Sequence, residues 1–254
     1  KIMEIKAADV AKLRKMTGAG MMDCKKALIE ADGDYDKAQD IIRERGKLVA
    51  AKRADRSATE GVVVSKIVGQ KGYMLCLACE TDFVAKNSEF SATANEILDI
   101  AIAADAADLE ALNAVAADGR TVADKVTEKS GQTGEKVELV YYAKIEAPMC
   151  VTYIHTNHKL GTLIGFNKEI GMEVAKDVAM QAAAMAPISI SREDCDPAVI
   201  EHERSIGREQ ARLDGKPEAM LDKIAEGKVN KFLTENTLLS QPLVKNNKLS
   251  VGAY

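Results

Sequence analysis

The sequence predicts an α+β protein of small antiparallel sheets and packed helices, and three observations carry that prediction. Strand-like runs follow one another through short turns, not through the long crossovers that a parallel sheet needs. Apolar positions recur at helical spacing at both ends of the chain, with sheet-like runs between them. Aromatics are only 4% of the chain, with no Trp, a balance suited to Ala-rich helices laid on small sheets.

Residues 1–46 read as a three-helix module. Asp9 is expected to cap a first helix carrying Val10, Leu13 and Met16, which ends at Thr17-Gly18-Ala19-Gly20. A second helix from Met22 to Ala31 turns Ala27 and Leu28 inward. Asp34 caps a third, with Tyr35, Ala38, Ile41 and Ile42 on one face and Gly46 closing it. A core this small is marginal alone, which points to binding as the module's purpose. Met21 and Met22 are adjacent and so cannot share a face. One of them can pack while the other forms an exposed, adaptable contact, or both can be core. Residues 47–60 form a basic linker, a solvated face or one that touches an acidic surface.

Residues 61–137 form the first half of a two-subdomain antiparallel β/α core. Val62–Val68 and Tyr73–Cys79 are strands around a Gly69–Gly72 turn, and a helix from about Asn87 buries Phe90, Ala94, Ile97, Leu98 and Ala101. Residues 105–131 read as helical, with Leu109, Leu112, Val115, Val122 and Val126 apolar. The order then recurs over 138–196, with strands at 137–145, 150–155 and 160–166, a turn at 156–159, and a helix carrying Met172, Ala175, Val178, Ala179 and Ala182. Residues 197–237 differ in kind. Pro197 opens a helix with Val199, Ile206 and Leu213 seven apart, Asp214-Gly215-Lys216-Pro217 links it to a second, and Met220, Ile224, Phe232 and Leu233 line that one. The pair reads as a projecting antiparallel hairpin of coiled-coil type. Residues 238–254 return to the core.

Composition excludes several function classes. Net charge is −4 with a pI near 5.6, so the chain has no overall electrostatic case for binding nucleic acid, and it lacks the stacking aromatics of a single-strand platform. It shows no membrane-length apolar run and no signal-peptide pattern. The five cysteines are odd in number and scattered, which fits a reducing interior, either bacterial cytoplasm or that of a plastid or mitochondrion. Cys76 and Cys79 form a C-x-x-C, but within a strand they face opposite sides, so neither a metal pair nor a redox pair is expected. Gly18-Ala19-Gly20 follows a helix and has Asp23 where a third glycine would stand, so no nucleotide loop is read there. His155 and His158 flank a turn without an acid or thiol cluster, and no serine lies in a nucleophile elbow. The expectation is a protein that is not an enzyme and takes no cofactor and no metal.

What remains is the connector Glu80-Thr81-Asp82-Phe83-Val84-Ala85-Lys86-Asn87 between the second strand and the helix. Connectors are usually polar, so Phe83 needs a reason. It can fold back beneath the helix as core, or it can stand out as an anchor for another protein.

Two segments carry a family resemblance. Leu13-Arg14-Lys15-Met16-Thr17-Gly18-Ala19-Gly20-Met21-Met22-Asp23-Cys24-Lys25-Lys26-Ala27-Leu28 closely resembles the N-terminal signature of the elongation factor Ts family. Cys79-Glu80-Thr81-Asp82-Phe83-Val84-Ala85-Lys86 looks like the end of that family's second signature, and Lys231-Phe232, Glu235, Leu238-Leu239 and Gln241-Pro242-Leu243-Val244 fit its pattern after the hairpin. The resemblance implies a ubiquitin-associated-like N-terminal domain, a two-part core and a coiled-coil hairpin. It also implies a guanine-nucleotide exchange factor whose partner is the GTPase elongation factor Tu, with an adaptor acting through the N-terminal helices as the alternative. By resemblance, Arg14, Met21, Met22 and Lys25 would face the partner from the first domain. Thr81, Asp82, Phe83 and Val84 would reach the Mg2+ side of its nucleotide pocket, with Phe83 an exposed wedge, and His155 would touch a different domain of the partner. Cys76 and Ala78 stand where the family has Glu and Asn, and Val140-Tyr141 replaces an Arg-Arg pair, so no role is carried to those positions.

Overall fold

The computed structural model describes residues 5–254, so the first four residues of the expected 1–46 module lie outside the described residues. The chain divides into two compact units between Gly165 and Phe166.

The first unit opens with α1 (Ala7–Thr17), α2 (Met21–Glu30) and α3 (Tyr35–Lys52). Val10, Leu13, Cys24, Ala27, Leu28 and Ala38 form their shared core. Asp9 is not the cap of α1. It lies inside the first turn, where its carboxylate accepts the backbone N–H of Lys6 at 3.1 Å. Met16 leaves the inward stripe and is exposed, because each step of three residues falls about 60° short of a full turn, and two steps from Val10 carry it off the face. Asp34 caps α3 as expected, accepting from the Asp36 and Lys37 N–H groups. Gly46 does not close α3. The helix runs on to Lys52, so the first half of the basic segment 47–60 is helical, and Gly46 marks a crossing point instead of an end.

Next come β1 (Glu60–Val68), β2 (Lys71–Cys79), the single turn α4 (Asp82–Ala85) and α5 (Ser88–Ala104). They are followed by α6 (Leu109–Ala114), a minimal hairpin of β3 (Ala116–Ala117) and β4 (Arg120–Thr121), and α7 (Val122–Thr133). The span read as helical over 105–131 is therefore interrupted. Asp118 and Gly119 both take positive φ, 55° and 75°, which is the backbone of a type I′ two-residue hairpin and the reason Asp-Gly occupies it. Then β5 (Glu138–Glu146), β6 (Met149–Ile154) and β7 (Gly161–Phe166) complete the strands of this region.

The three-stranded antiparallel sheet has the order β1-β2-β5. One face presents Val62, Tyr73, Leu75, Leu77 and Leu139 to the buried stripe of α5, Phe90, Ala94, Ile97, Leu98 and Ala101. Each large side chain buried in this way contributes roughly 1.5–3 kcal/mol. The paired hairpin β6–β7 packs on the opposite face, where Val63 and Met74 approach Gly161 and the Val63 N–H donates to the His158 carbonyl at 2.7 Å. The strand expected to open a second, repeated subdomain thus completes the first sheet. Register with β2 skips Val140, a bulge in β5. Cys76 pairs across from Val63, and Cys79 belongs to the helix-covered core, so the two thiols do face opposite sides; all five cysteines are free.

The second unit holds α8 (Met172–Met185), α9 (Pro197–Leu213), α10 (Glu218–Asn236), β8 (Pro242–Leu243) and β9 (Asn246–Ser250). α9 and α10 pair as a helical hairpin, and its seam is the predicted one only at the end where Val199, Phe232 and Leu233 pack with Cys195 and Val229. Beyond that end, Gly207 and Ala211 of α9 and Leu221 and Ala225 of α10 are buried, while Ile206 (49%) and Leu213 (74%) are exposed. The small residues win the seam because they let the backbones approach, and a Cβ on Gly207 would lie 3.2 Å from the Ala225 Cα. Arg204 to Glu226 and Arg208 to Asp222 bridge the rims. The C-terminal strands are clamped onto α8: Gln181 donates to the Gln241 side chain at 3.2 Å and accepts the Val244 N–H at 2.8 Å, and Asp177 takes Lys245 and the Tyr254 hydroxyl.

Candidate interaction site

The connector after β2 folds into a single-turn helix. Thr81 caps α4, and Asn87 caps α5 by accepting the Glu89 N–H at 2.8 Å. Between these caps Phe83 stands 85% exposed. Val84 turns inward against the core under the sheet, and Ala85 is buried. A single helical turn can hold one aromatic outward when the residue after it is anchored, and Val84 supplies that anchor.

The frame of this turn is polar and reciprocal. Glu135, just past the α7 C-cap Gly134, accepts the Glu80 N–H at 3.1 Å, the Thr81 N–H at 3.0 Å and the Thr81 hydroxyl at 2.6 Å. Glu80 in turn accepts the Lys136 N–H at 2.6 Å and the Arg53 guanidinium at 2.9 Å through both oxygens. The Lys136 N–H first and the Arg53 guanidinium second hold the Glu80 carboxyl below its ordinary range. Beneath the turn, Cys79 is buried and its Sγ donates to the Thr81 carbonyl at 3.2 Å. Burial first, and the Glu135 charge second, push that thiol up to about 12, so it is inert as a nucleophile.

Of the four predicted motif residues, Asp82 and Phe83 present their side chains outward, while Thr81 and Val84 belong to the frame. Asp82 pairs with Lys86 one turn on, at 2.5 Å. That hydrogen bond, with a smaller contribution from the Lys159 charge, keeps the Asp82 carboxyl below its usual range. Lys159 lies in the β6–β7 turn and pairs with Glu60. The turn carrying His155 is thereby tied to the start of β1, although the two are far apart in sequence. His155 is exposed, its Nδ1 within 2.9 Å of the Tyr153 hydroxyl.

In the helical module Met21 (42%) and Met22 (64%) are both exposed, with Arg14 and Lys25 also on the surface. The alternative with one Met inside fails because Cys24, Ala27 and Leu28 already fill the inward face of α2. Sequence reasoning missed Glu135, Glu80, Arg53 and Lys159. Glu135 and Glu80 carried a faint signal as acids at the ends of a helix and a strand, and Arg53 as part of the basic segment 47–60, which could touch an acidic group. Among the described residues no group of His, Cys, Asp or Glu could hold a metal ion, and no helix is long and apolar enough to cross a membrane.

Residues 80–254 match the family model described as Elongation factor TS. Elongation factor Ts of Amoebophilus asiaticus is 48% identical over 257 residues, covering 99% of this chain and 93% of its own length. The chain belongs to the elongation factor Ts family. Elongation factor Ts of Porphyromonas gingivalis W83 is likewise 48% identical, over 253 residues and 99% of this chain and 92% of its own. That of Hydrogenobaculum is 43% identical over 258 residues, covering 99% of this chain and 93% of its own. Elongation factor Ts proteins are nucleotide exchange factors for elongation factor Tu, and the chain is accordingly an exchange factor that binds that GTPase; the adaptor alternative is not favoured.

Proposed function

We propose that this elongation factor Ts speeds GDP release from elongation factor Tu by pressing Phe83 and Asp82 against the Mg2+ and phosphate side of the nucleotide site. The helical module docks at the same time through Met21 and Met22, with Arg14 and Lys25 at its rim. The observation that carries this reading is the exposure of Phe83 on a helical turn whose two ends are capped and whose frame is pinned. A mobile loop would lose its push to disorder, whereas a preorganised wedge delivers it to the partner. The thermodynamics is linkage: a factor that binds the nucleotide-free GTPase more tightly than the GDP-bound form lowers GDP affinity by the same coupling free energy. Mg2+ neutralises phosphate charge, so disturbing its site loosens the diphosphate, and no covalent bond is made or broken in this chain. His155, exposed on the β6–β7 turn, adds a further contact to the partner. The bacterial sources of the relatives support a cytoplasmic location.

Stopped-flow release of fluorescent GDP from elongation factor Tu tests the reading. Wild type accelerates release and Phe83→Ala does so at least tenfold less at equal concentration. If instead removal of residues 1–46 abolishes all binding while Asp82→Ala and Phe83→Ala retain full exchange, the wedge is wrong and the helical module alone does the work.

A further inference from the structure

We propose that Glu135 is a positioning residue for Phe83, coupling the wedge to the helical module through the last turn of α7; the proposal rests on Phe83 acting as the wedge. Three contacts place that turn between the two surfaces. Glu135 takes the Thr81 hydroxyl and the N–H groups of Glu80 and Thr81, two residues ahead of Phe83. One turn earlier, Gln132 Nε2 donates to the Thr17 carbonyl at 2.6 Å, four residues ahead of Met21. Gly131 lies against Gly46 of α3, with so little room that a Cβ on Gly131 would collide with the Gly46 Cα.

The far end of α3 closes the circuit. Arg53, its C-cap residue, donates from Nη1 to both oxygens of Glu80, whose carboxylate also takes the Lys136 N–H. Glu135 therefore satisfies two backbone donors of the Glu80 segment, and Glu80 one of the Glu135 segment. Removing the Glu135 carboxylate leaves two partly buried N–H groups without that acceptor at the foot of α4, and removing that of Glu80 leaves the Lys136 N–H without its own. Met21 and Met22 on one side and Phe83 on the other are held in a set spacing by one helical turn and two carboxylates. For a protein that grips a partner at two points, that spacing sets how much of the second contact is gained once the first has formed.

A double-mutant cycle on GDP release with the full chain tests this. Glu135→Ala should lower the maximal release rate about tenfold, the scale of a lost charge-assisted hydrogen-bond set. The concentration for half-maximal effect should change little, because the methionines still dock. On the Phe83→Ala background the same substitution should change nothing further, since a positioning residue acts only through the group it positions. Glu135→Gln, which keeps a carbonyl acceptor for the N–H groups, should restore part of the rate. Thr81→Val removes one arm of the clasp and carries the cycle if Glu135→Ala does not fold. Full exchange by Glu135→Ala, or by Thr81→Val where that variant carries the cycle, overturns the proposal, as does a loss that multiplies with that of Phe83→Ala. If Phe83→Ala alone leaves release unchanged, the wedge reading fails first, which the single variant shows independently.

Discussion

Gly131 of α7 packs directly on Gly46 of α3, and the contact is one-sided: a Cβ on Gly131 would collide with the Gly46 Cα, whereas a Cβ on Gly46 would stand in ordinary contact, 3.6 Å from the Gly131 Cα. This contact is how the helical module sits against the rest of its unit. Gly131→Ala forces the two backbones apart, at a cost of about 1–3 kcal/mol as for other overpacked contacts. A thermal melt will show the loss, and limited proteolysis should then cut more readily within residues 53–59, where the module joins the sheet.

Phe83 and Phe90 separate function from stability. Phe83→Ala removes an exposed ring and should move folding stability by no more than about 0.5 kcal/mol. Phe90 is buried against the sheet, so Phe90→Ala should cost about 3–5 kcal/mol. Chemical denaturation of both variants checks the pair. A large loss for Phe83→Ala would mean that the ring is core in solution.

The seam of the helical hairpin makes a second pair of outcomes. Ile206→Ser changes a solvent-facing residue and should leave the melting curve nearly unchanged. Gly207→Val places branched bulk against Ala225 and Lys228 and should destabilise by about 1–3 kcal/mol. Equal effects from the two would restore the seven-residue stripe as the seam.

Acid should release the C-terminal strands from α8 before it unfolds the rest of their unit. The Lys245 hydrogen bond first, and the Tyr254 hydroxyl with it, hold the nearly buried Asp177 carboxyl below its usual range. A depressed folded-state value means that its stabilisation is complete above the unfolded value near ~4 and fades as pH falls through the folded one. Asp177→Asn should remove about 1–3 kcal/mol at neutral pH and flatten the dependence of stability on pH below ~4. An unchanged acid slope in denaturant titrations of this variant would assign that slope to other carboxylates.

The helices and strands were legible because their signals are local. Asp34 and Asn87 cap helices by reaching residues two or three ahead, and the stripe Phe90, Ala94, Ile97, Leu98, Ala101 is periodic. The C-x-x-C could be set aside on strand geometry alone. The Asp118-Gly119 hairpin was equally local and passed unread inside an apolar-periodic span. Val199 packs in the hairpin as its spacing suggests, but Ile206 and Leu213 face solvent. A seven-residue spacing names a face but not its partner, and Gly207 and Ala211 took the seam through close approach, which no hydrophobic pattern records.

By itself the sequence determined the family, the α+β class, the two signature segments and the placement of Phe83 on the connector between a strand and a helix. Only the tertiary structure decided that β5 joins the first sheet, that both methionines face outward, and that Lys159 pairs with Glu60. It alone also set the clasp between Glu135 and Thr81, which are 54 residues apart. The physical reason is the range of the interactions. Caps, turns and stripes are settled by neighbours along the chain, whereas strand partners and crossed carboxylates depend on which distant groups the packed core leaves facing each other.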